Sequence, residues 1–218
     1  MRAGPVGRSI GGGARVGCVL DIPFRYVEAS DGDYFMSRDV YGHRCLAQGS
    51  DWNLEGRSFD GVDDRIELGT ASLTSGASSV TAPVKPDVSG DKAVGELKLD
   101  GVGFILYQRA VDAITFGSRG GAQGVSPGGS LTTNAWSVVA FVYTGGDKDV
   151  VSSYEVTINT EKQPVVSQGT VGGAFGKNYI GRENAGAHFS GHIGAIEVHD
   201  LAEYAPRVLQ RAIQARRG

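Results

Sequence analysis

The sequence has few cysteines, little net charge and no long apolar run. Its 218 residues contain two cysteines, Cys18 and Cys45, and carry a formal net charge of −3. So few cysteines are more often buried thiols than a bridge, although one disulfide between them is possible in principle. The small net charge gives no electrostatic reason to expect a nucleic acid as a partner.

Membrane and secretion signals are also missing. No stretch approaches the roughly 18 apolar residues that cross a bilayer. The basic N-terminal end offers only VGCVL (16–20), whereas a secretory signal needs about 7–15 apolar residues. No Asn-x-Ser/Thr glycosylation site occurs. We therefore expect a chain made in the cytoplasm, without a signal peptide and without membrane insertion.

Glycine and alternating apolar residues dominate what is present. The 34 glycines fit many short strands joined by tight turns. RIEL (65–68), ELKL (96–99) and YEVTI (154–158) alternate apolar and polar side chains, which is typical of a strand with one face in the core. AWSVVAFVY (135–143) is apolar on both faces and predicts a central strand that is covered on both sides.

The two ends of the chain differ from this pattern. Residues 1–20 are rich in glycine and carry Arg2, Arg8 and Arg15, which predicts an assembly arm ahead of a domain over 21–218. Near the C-terminus, Pro206 suits a first helical turn, and a helix is expected at about 205–216. Its apolar stripe consists of Leu201, Ala205, Val208, Leu209, Ala212 and Ile213, with Arg207, Arg211 and Gln214 facing outward.

Four sequence segments occur in an order typical of one protein family. They are GRSFDGVDDRI (56–66), NAWSVVAFVYTGG (134–146), YEVTINTEKQPVV (154–166) and YIGRENAGAHFSGHIGAIEVHDL (179–201). Over about residues 38–210 the chain resembles the laminin-G-like jelly rolls of the concanavalin A-like lectin/glucanase superfamily. The resemblance implies an all-β fold, a two-sheet antiparallel jelly-roll sandwich, to which the residue pattern adds the short C-terminal helix.

Two positions depart from the family pattern. VTAPVKP (80–86) has Pro83 where the family usually has a tryptophan, and Ala195 stands where the last strand usually carries an aspartate. Since proline cannot donate to a strand ladder, we expect the Pro83 segment to be an edge strand or a bulge.

Three carboxylates lie close together in FDGVDD, at Asp60, Asp63 and Asp64. Asp and Gly are the residues of tight turns, so turn chemistry is one interpretation. Calcium binding is the other, because hard cations take several oxygen ligands. The sequence indicates no other cofactor.

The sequence carries no catalytic pattern that we recognise. Glucanases of this fold place acids as Glu-x-Asp-x-x-Glu on one strand, and that string does not occur here. The nearest, EVHD (197–200), puts its acids three positions apart on opposite faces of a strand. There is no Gly-x-Ser-x-Gly elbow either. We expect a non-enzymatic protein, with a degenerate glycoside hydrolase as a remote alternative.

Two functional hypotheses remain. Jelly rolls similar to this one occur in phage tail, fibre and capsid-decorating proteins, which implies a multi-copy surface component of a virion with other virion proteins as partners. The alternative is a carbohydrate-binding lectin module for cell-surface glycans, and one protein could serve both roles. Sugar sites need aromatic platforms and polar groups; the candidates are Trp52, Tyr107, Tyr143, Tyr179, Arg182 and Asn184. For each of them, packing in the core or on a sheet is the simpler alternative.

Overall fold

The chain folds into two antiparallel sheets packed face to face. The computed structural model describes residues 18–22, 32–39, 41–53, 56–110, 112–170 and 172–200. Within these ranges every strand belongs to one of two nine-stranded sheets, here called A and B. The one helical element among the described residues is the short 3-10 turn Val151–Ser153. The predicted all-β, two-sheet sandwich is therefore confirmed, whereas the helix predicted at 205–216 lies outside the described residues.

The strands are numbered in chain order. Sheet A contains β1 (Cys18–Ile22), β4 (Asp51–Asn53), β5 (Gly56–Asp60), β7 (Ser78–Pro86), β12 (Ser137–Tyr143), β13 (Tyr154–Ile158), β14 (Glu161–Lys162), β17 (Ser190–Ile193) and β18 (Ile196–His199). Sheet B contains β2 (Tyr34–Met36), β3 (Arg44–Gln48), β6 (Arg65–Gly69), β8 (Lys92–Leu99), β9 (Val102–Gln108), β10 (Ile114–Ser118), β11 (Ala122–Val125), β15 (Val166–Thr170) and β16 (Asn178–Ile180).

The order of neighbouring strands differs from their order in the sequence in both sheets. Sheet A runs β14-β13-β12-β7-β17-β5-β4, and β18 also pairs with β7 while β1 pairs with β18. Sheet B runs β15-β11-β10-β9-β8-β16-β6-β3-β2. The strands predicted from alternation correspond to β6, β8 and β13, and β12 is buried at every position, as its two apolar faces predict.

An aromatic cluster joins the two sheets. It consists of Phe104 and Phe116 from sheet B and Phe141, Tyr143 and Tyr154 from sheet A, all buried. Their ring centroids lie 5.1 to 5.9 Å apart, in the range where aromatic pairs attract beyond simple area burial. The inner faces of β9, β10, β12 and β13 therefore form one closely packed part of the core.

Proline 83 lies in a central strand, so the expectation of an edge strand is wrong. β7 is bordered by β12 on one side and by β17 and β18 on the other. The carbonyl of Pro83 accepts a hydrogen bond from the Gly194 N–H at 2.8 Å, which shows that its nitrogen also faces the second side. On that side β17 ends at Ile193 and β18 begins at Ile196. The hydrogen-bond ladder between β7 and its neighbour is therefore interrupted at the point where Pro83 has no N–H to donate. Ala195 lies in this gap between β17 and β18. The irregularity that we expected at Pro83 is thus found in the neighbouring strand.

The sandwich begins earlier than the predicted domain boundary. Val19 and Leu20 of β1 belong to the core cluster, so residues 18–20 are part of sheet A rather than of an arm. The rest of the predicted arm, including Arg2, Arg8 and Arg15, lies outside the described residues. Both cysteines are buried thiols that form no disulfide. Burial and the nearby charge of Asp39 raise the pKa of the Cys45 thiol to about 12.

We predict that Phe59→Ala destabilises the fold more than Trp136→Ala does. Phe59 is 2% exposed and packs edge-on against Phe189, with ring centroids 6.4 Å apart. Its truncation should cost about 3–5 kcal/mol of unfolding free energy, because a buried cavity remains. Trp136 is only half-buried, with its ring 6.5 Å from that of His192, and should cost about 1–2 kcal/mol. Denaturant unfolding measures both; equal losses would place Trp136 in the core.

Candidate functional site

The outer face of sheet B carries an open cleft of about 240 Å³. The side chains that line this sheet B cleft include Tyr107, Arg109, Thr115, Arg119, Gln123 and Glu183. They combine one aromatic ring with donors and acceptors of both charges. Small-molecule sites are concave and use a few converging polar groups in this way.

Strand alternation and register explain why these residues meet. On β9 the side chains of Phe104 and Leu106 pack with the core, so Ile105 and Tyr107 point to the outer face. Antiparallel pairing places Thr115 opposite Tyr107 and Gly117 opposite Ile105. Gly117 is also paired with Gln123 of β11. Because Gly117 has no side chain, the floor of the cleft is open between its neighbours.

Arg109 and Tyr107 form one wall. The Nε of Arg109 donates to the hydroxyl oxygen of Thr115 at 3.1 Å, and its guanidinium lies 5.7 Å from the centre of the Tyr107 ring. Asp91 lies 3.7 Å from the same guanidinium. Burial raises the pKa of Tyr107, and the charges of Glu183 and Asp91 raise it further. The Tyr107 hydroxyl is therefore protonated at neutral pH and can donate a hydrogen bond.

The opposite wall depends on Arg119, which bridges two carboxylates. Its Nε and Nη2 donate to the two oxygens of Glu96 at 2.8 and 2.9 Å, and Nη2 also donates to Glu183. The Glu96 side chain is fully buried and that of Glu183 is 11% exposed. Bidentate contacts of this kind are among the strongest hydrogen bonds in proteins. The hydrogen bonds to Glu96, foremost among its interactions, raise the pKa of Arg119, which stays charged.

The same cluster holds the loop that follows β15. Nη1 of Arg119 donates to the carbonyl of Gly172 at 2.6 Å. The backbone N–H of Asn184 donates to Glu96 at 2.8 Å, and its side-chain amide donates to Ala174 at 3.3 Å. Strand β8, the end of β10, the first residues of this loop and the segment after β16 are thereby tied together. The wall of the cleft is formed before any ligand arrives.

The six residues predicted to bind a ligand lie in different parts of the structure. Tyr107 lines the sheet B cleft. Tyr179, Arg182 and Asn184 lie on the segment that carries Glu183, with the Arg182 guanidinium 5.0 Å above the Tyr179 ring. These three support the wall rather than line the opening.

The other two predicted residues lie elsewhere. Tyr143 is 1% exposed in the aromatic core, and its hydroxyl donates to the carbonyl of Gly146 at 2.7 Å, so it is no sugar platform. Trp52 is half-buried in β4, at the edge of sheet A and thus on the other sheet. Sequence reasoning missed Arg109, although it lies only two positions after Tyr107. It also missed Thr115 and Gln123, because only the register of β9, β10 and β11 brings them beside Tyr107.

Asp60, Asp63 and Asp64 do converge. Each offers one carboxylate oxygen, and these oxygens lie within 4.8 Å of one another. Turn bonds account for part of the arrangement, because Asp60 Oδ1 accepts from the Val62 N–H at 2.7 Å and Asp64 Oδ2 accepts from the Asp60 N–H at 2.7 Å. Burial and the charges of Asp60, Asp63 and Asp51 raise the pKa of Asp64. The acidic loop therefore has both the hydrogen bonds of a tight turn and carboxylates close enough to repel one another.

We predict weak calcium binding at this acidic loop. The turn bonds occupy one oxygen of Asp60 and one of Asp64, and a site with so few remaining oxygen ligands suits a dissociation constant of about 1 mM. At 10 mM calcium such a site stabilises the fold by about 1.4 kcal/mol, so the melting midpoint should rise over that in chelator. Asp63→Asn is the sharp control, since the Asp63 side chain makes none of the turn bonds described above. It should abolish the response without lowering the calcium-free midpoint, since it also removes a charge that repels Asp64. Equal midpoints of the wild type with calcium and with chelator would show that the loop is a turn and not a calcium site.

The fold has counterparts among known proteins. A sequence model of the concanavalin A-like lectin/glucanases superfamily matches residues 60–207. No curated protein matches the chain by sequence. Among the described residues, no helix has the length and apolar character needed to cross a membrane.

Solved structures with the same fold are distant in sequence. The receptor-binding domain of botulinum neurotoxin D is 13% identical with a TM-score of 0.59, over 90% of this chain and 53% of that chain. Domain 4 of AbnA, an arabinanase from Geobacillus stearothermophilus solved with arabinotriose, is 14% identical with a TM-score of 0.56, over 88% and 97%. The Trypanosoma rangeli sialidase is 12% identical with a TM-score of 0.59, over 94% and 35%. The chain thus spans about half the length of the neurotoxin domain.

Proposed function

Because the chain belongs to the concanavalin A-like lectin/glucanase superfamily, we propose that it is a non-enzymatic binding module whose sheet B cleft holds a glycan. The observation that carries the proposal is the position of Tyr107 beside Arg109, Thr115 and Gln123 in one cleft. A sugar ring has an apolar face that packs on an aromatic ring and hydroxyls that exchange hydrogen bonds with such polar groups. Arabinotriose on a domain of this fold in AbnA motivates the choice of ligand class.

The charges of the cleft favour a neutral glycan. Arg119 is balanced by Glu96 and Glu183, and Arg109 lies near Asp91. Two arginines against three acids leave one net negative charge at the cleft. An acidic sugar would meet no uncompensated cation there, whereas neutral hydroxyls can use the remaining donors and acceptors.

The carboxylates near the cleft support binding rather than hydrolysis. Glycoside hydrolysis needs one carboxyl group to donate a proton to the leaving oxygen and another to face the sugar. Glu96 is fully buried and accepts from both Arg119 and Asn184. Glu183 also accepts from Arg119. Glu183 is thus the one carboxylate among the described residues that line the cleft, one short of the pair that hydrolysis needs.

We predict that neutral oligosaccharides bind at the sheet B cleft. Tyr107→Ala should weaken binding roughly 5- to 150-fold in calorimetry, because about 1–3 kcal/mol of ring contact is lost. Tyr107→Phe keeps the ring and should retain most of the affinity. Tyr41→Ala, an exposed tyrosine in the turn before β3, is the matched control and should bind like the wild type.

Three results would contradict these proposals. Binding that survives in Tyr107→Ala, or no binding across a panel of neutral glycans, would reject the cleft as a glycan site. Release of reducing sugar that disappears in Glu183→Gln would overturn the non-enzymatic proposal.

We further propose that the module is carried on the surface of a phage or virus-like particle. The glycine- and arginine-rich residues 1–17 support this role, because they hold too few apolar groups to offset the entropy of ordering them on their own domain. They lead into β1 of sheet A, and the proposed glycan cleft lies on sheet B. An arm leaving from sheet A can attach to an assembly while the cleft faces outward.

Deleting residues 1–17 tests this attachment. The cut ends before β1, so the melting midpoint and the affinity for glycan should be nearly unchanged. Co-sedimentation with assembled particles should be lost. A truncated chain that still assembles, or that no longer folds, would contradict the assembly role of the arm.

A further inference from the structure

The outer face of sheet A is buried at its centre. Ser79 and Thr81 of β7 are 0% and 1% exposed, and Glu197 and His199 of β18 are 6% and 0% exposed. Val80 and Ala82, their neighbours on β7, belong to the core. Because successive side chains on a strand point to opposite faces, Ser79 and Thr81 must point away from that core.

Register arranges these residues in two rows across the sheet. Ser79 is paired with His199 on one side and Val142 on the other. Thr81 is paired in the same way with Glu197 and Ala140. We call these six residues the outer patch: Ser79, Thr81, Ala140, Val142, Glu197 and His199. Small and apolar side chains at its centre make it flat enough to receive another element.

Nothing among the described elements covers the outer patch. Every described strand belongs to sheet A or to sheet B, and sheet B packs on the other side. The hydroxyls of Ser79 and Thr81 are buried without a hydrogen-bond partner among the described residues. On an open sheet face, water would reach such groups at no cost. The cover must come from residues beyond the described elements.

We propose that the outer patch is the docking surface for the chain's own C-terminal segment, residues 201–218. This segment lies outside the described residues and carries the apolar stripe around Leu209 and Ile213. Apolar side chains of an amphipathic helix are stable only against another apolar surface. Val142 and Ala140 supply that surface.

The segment starts beside the patch and has the right length. β18 carries two patch residues, and Asp200 follows it directly. Asp200 Oδ1 accepts the backbone N–H of Ser75 at 3.2 Å, which fixes the point where the chain leaves the sheet. A helix over 205–216 is about 18 Å long. The strands β18, β7, β12 and β13 together span about 14 Å.

The charges are complementary. The segment carries four arginines and one glutamate. Glu197 of the patch is paired in register with Asp21 of β1, which adds a second acid beside it. Long arginine side chains on the flank of a docked helix would reach these acids from the β1 side of the patch.

The other stretches fit less well. Residues 1–17 are mostly glycine, arginine and small residues, with no apolar stripe. Residues 23–31 connect β1 in sheet A with β2 in sheet B, so they lead away from β7 and β12. The C-terminal segment is the occupant that both sequence and topology favour.

A cysteine at the patch tests the proposal in the full-length chain. Ser79→Cys exchanges one atom at a fully buried position of the patch. Its alkylation by N-ethylmaleimide should be slow when the segment is docked. Adding Leu209→Glu should accelerate alkylation at least tenfold, since a buried leucine is replaced by a charge. Adding Gln214→Glu, the same charge on the outward side, should leave the rate unchanged.

Further variants make every outcome decisive. The same chains without Ser79→Cys report the reactivity of Cys18 and Cys45 for subtraction. Leu209→Ala is a milder change that keeps the measurement interpretable if Leu209→Glu does not fold, and it should accelerate alkylation in the same direction. An unchanged rate in the Leu209 variants would overturn the proposal. So would acceleration by deletion of residues 1–17, or by dilution that dissociates a dimer, since each would identify a different cover.

Discussion

The missing N–H of Pro83 is the constraint around which sheet A is arranged. Its position in the central strand leaves β7 unable to bond continuously on one side, and the last described segment of the chain divides there into β17 and β18. The two halves then take different second partners: β17 pairs with β5, which leads into the acidic loop, and β18 pairs with β1. One absent donor thus lets a single chain segment serve two separate parts of the sheet.

The sequence predicts the architecture well because alternation and turn residues act locally. RIEL, ELKL and YEVTI each became a strand with its apolar side chains toward the core. The apolar β12 is buried on both faces. Pro83 shows where local reasoning stops. The rule that proline cannot donate is correct, but whether the strand or its neighbour adapts depends on the long-range pairing between residues 83 and 194.

The candidate site was only partly predictable. Tyr107 was identified by residue type, and so was Tyr143, yet their environments differ completely: one lines a cleft and the other lies in the core. Alternation assigns residues to two faces but does not say which face is covered. Arg119, which fixes the cleft wall, has no sequence signal, because its partners Glu96 and Glu183 lie 23 and 64 positions away. Buried charge networks of this kind become visible only once strands are in register.

The chain enters and leaves the sandwich at neighbouring points, because Cys18 of β1 is paired with His199 of β18. Paired residues on adjacent strands are about 5 Å apart at their Cα atoms. A short linker could therefore join these two points, and the chain could be reopened at the exposed turn 159–160 between β13 and β14 to give a circular permutant with the same sheets. For the same reason the sandwich could be inserted into a loop of another protein without pulling that loop apart. Either rearrangement would leave the face of sheet B untouched, since both joining points belong to sheet A.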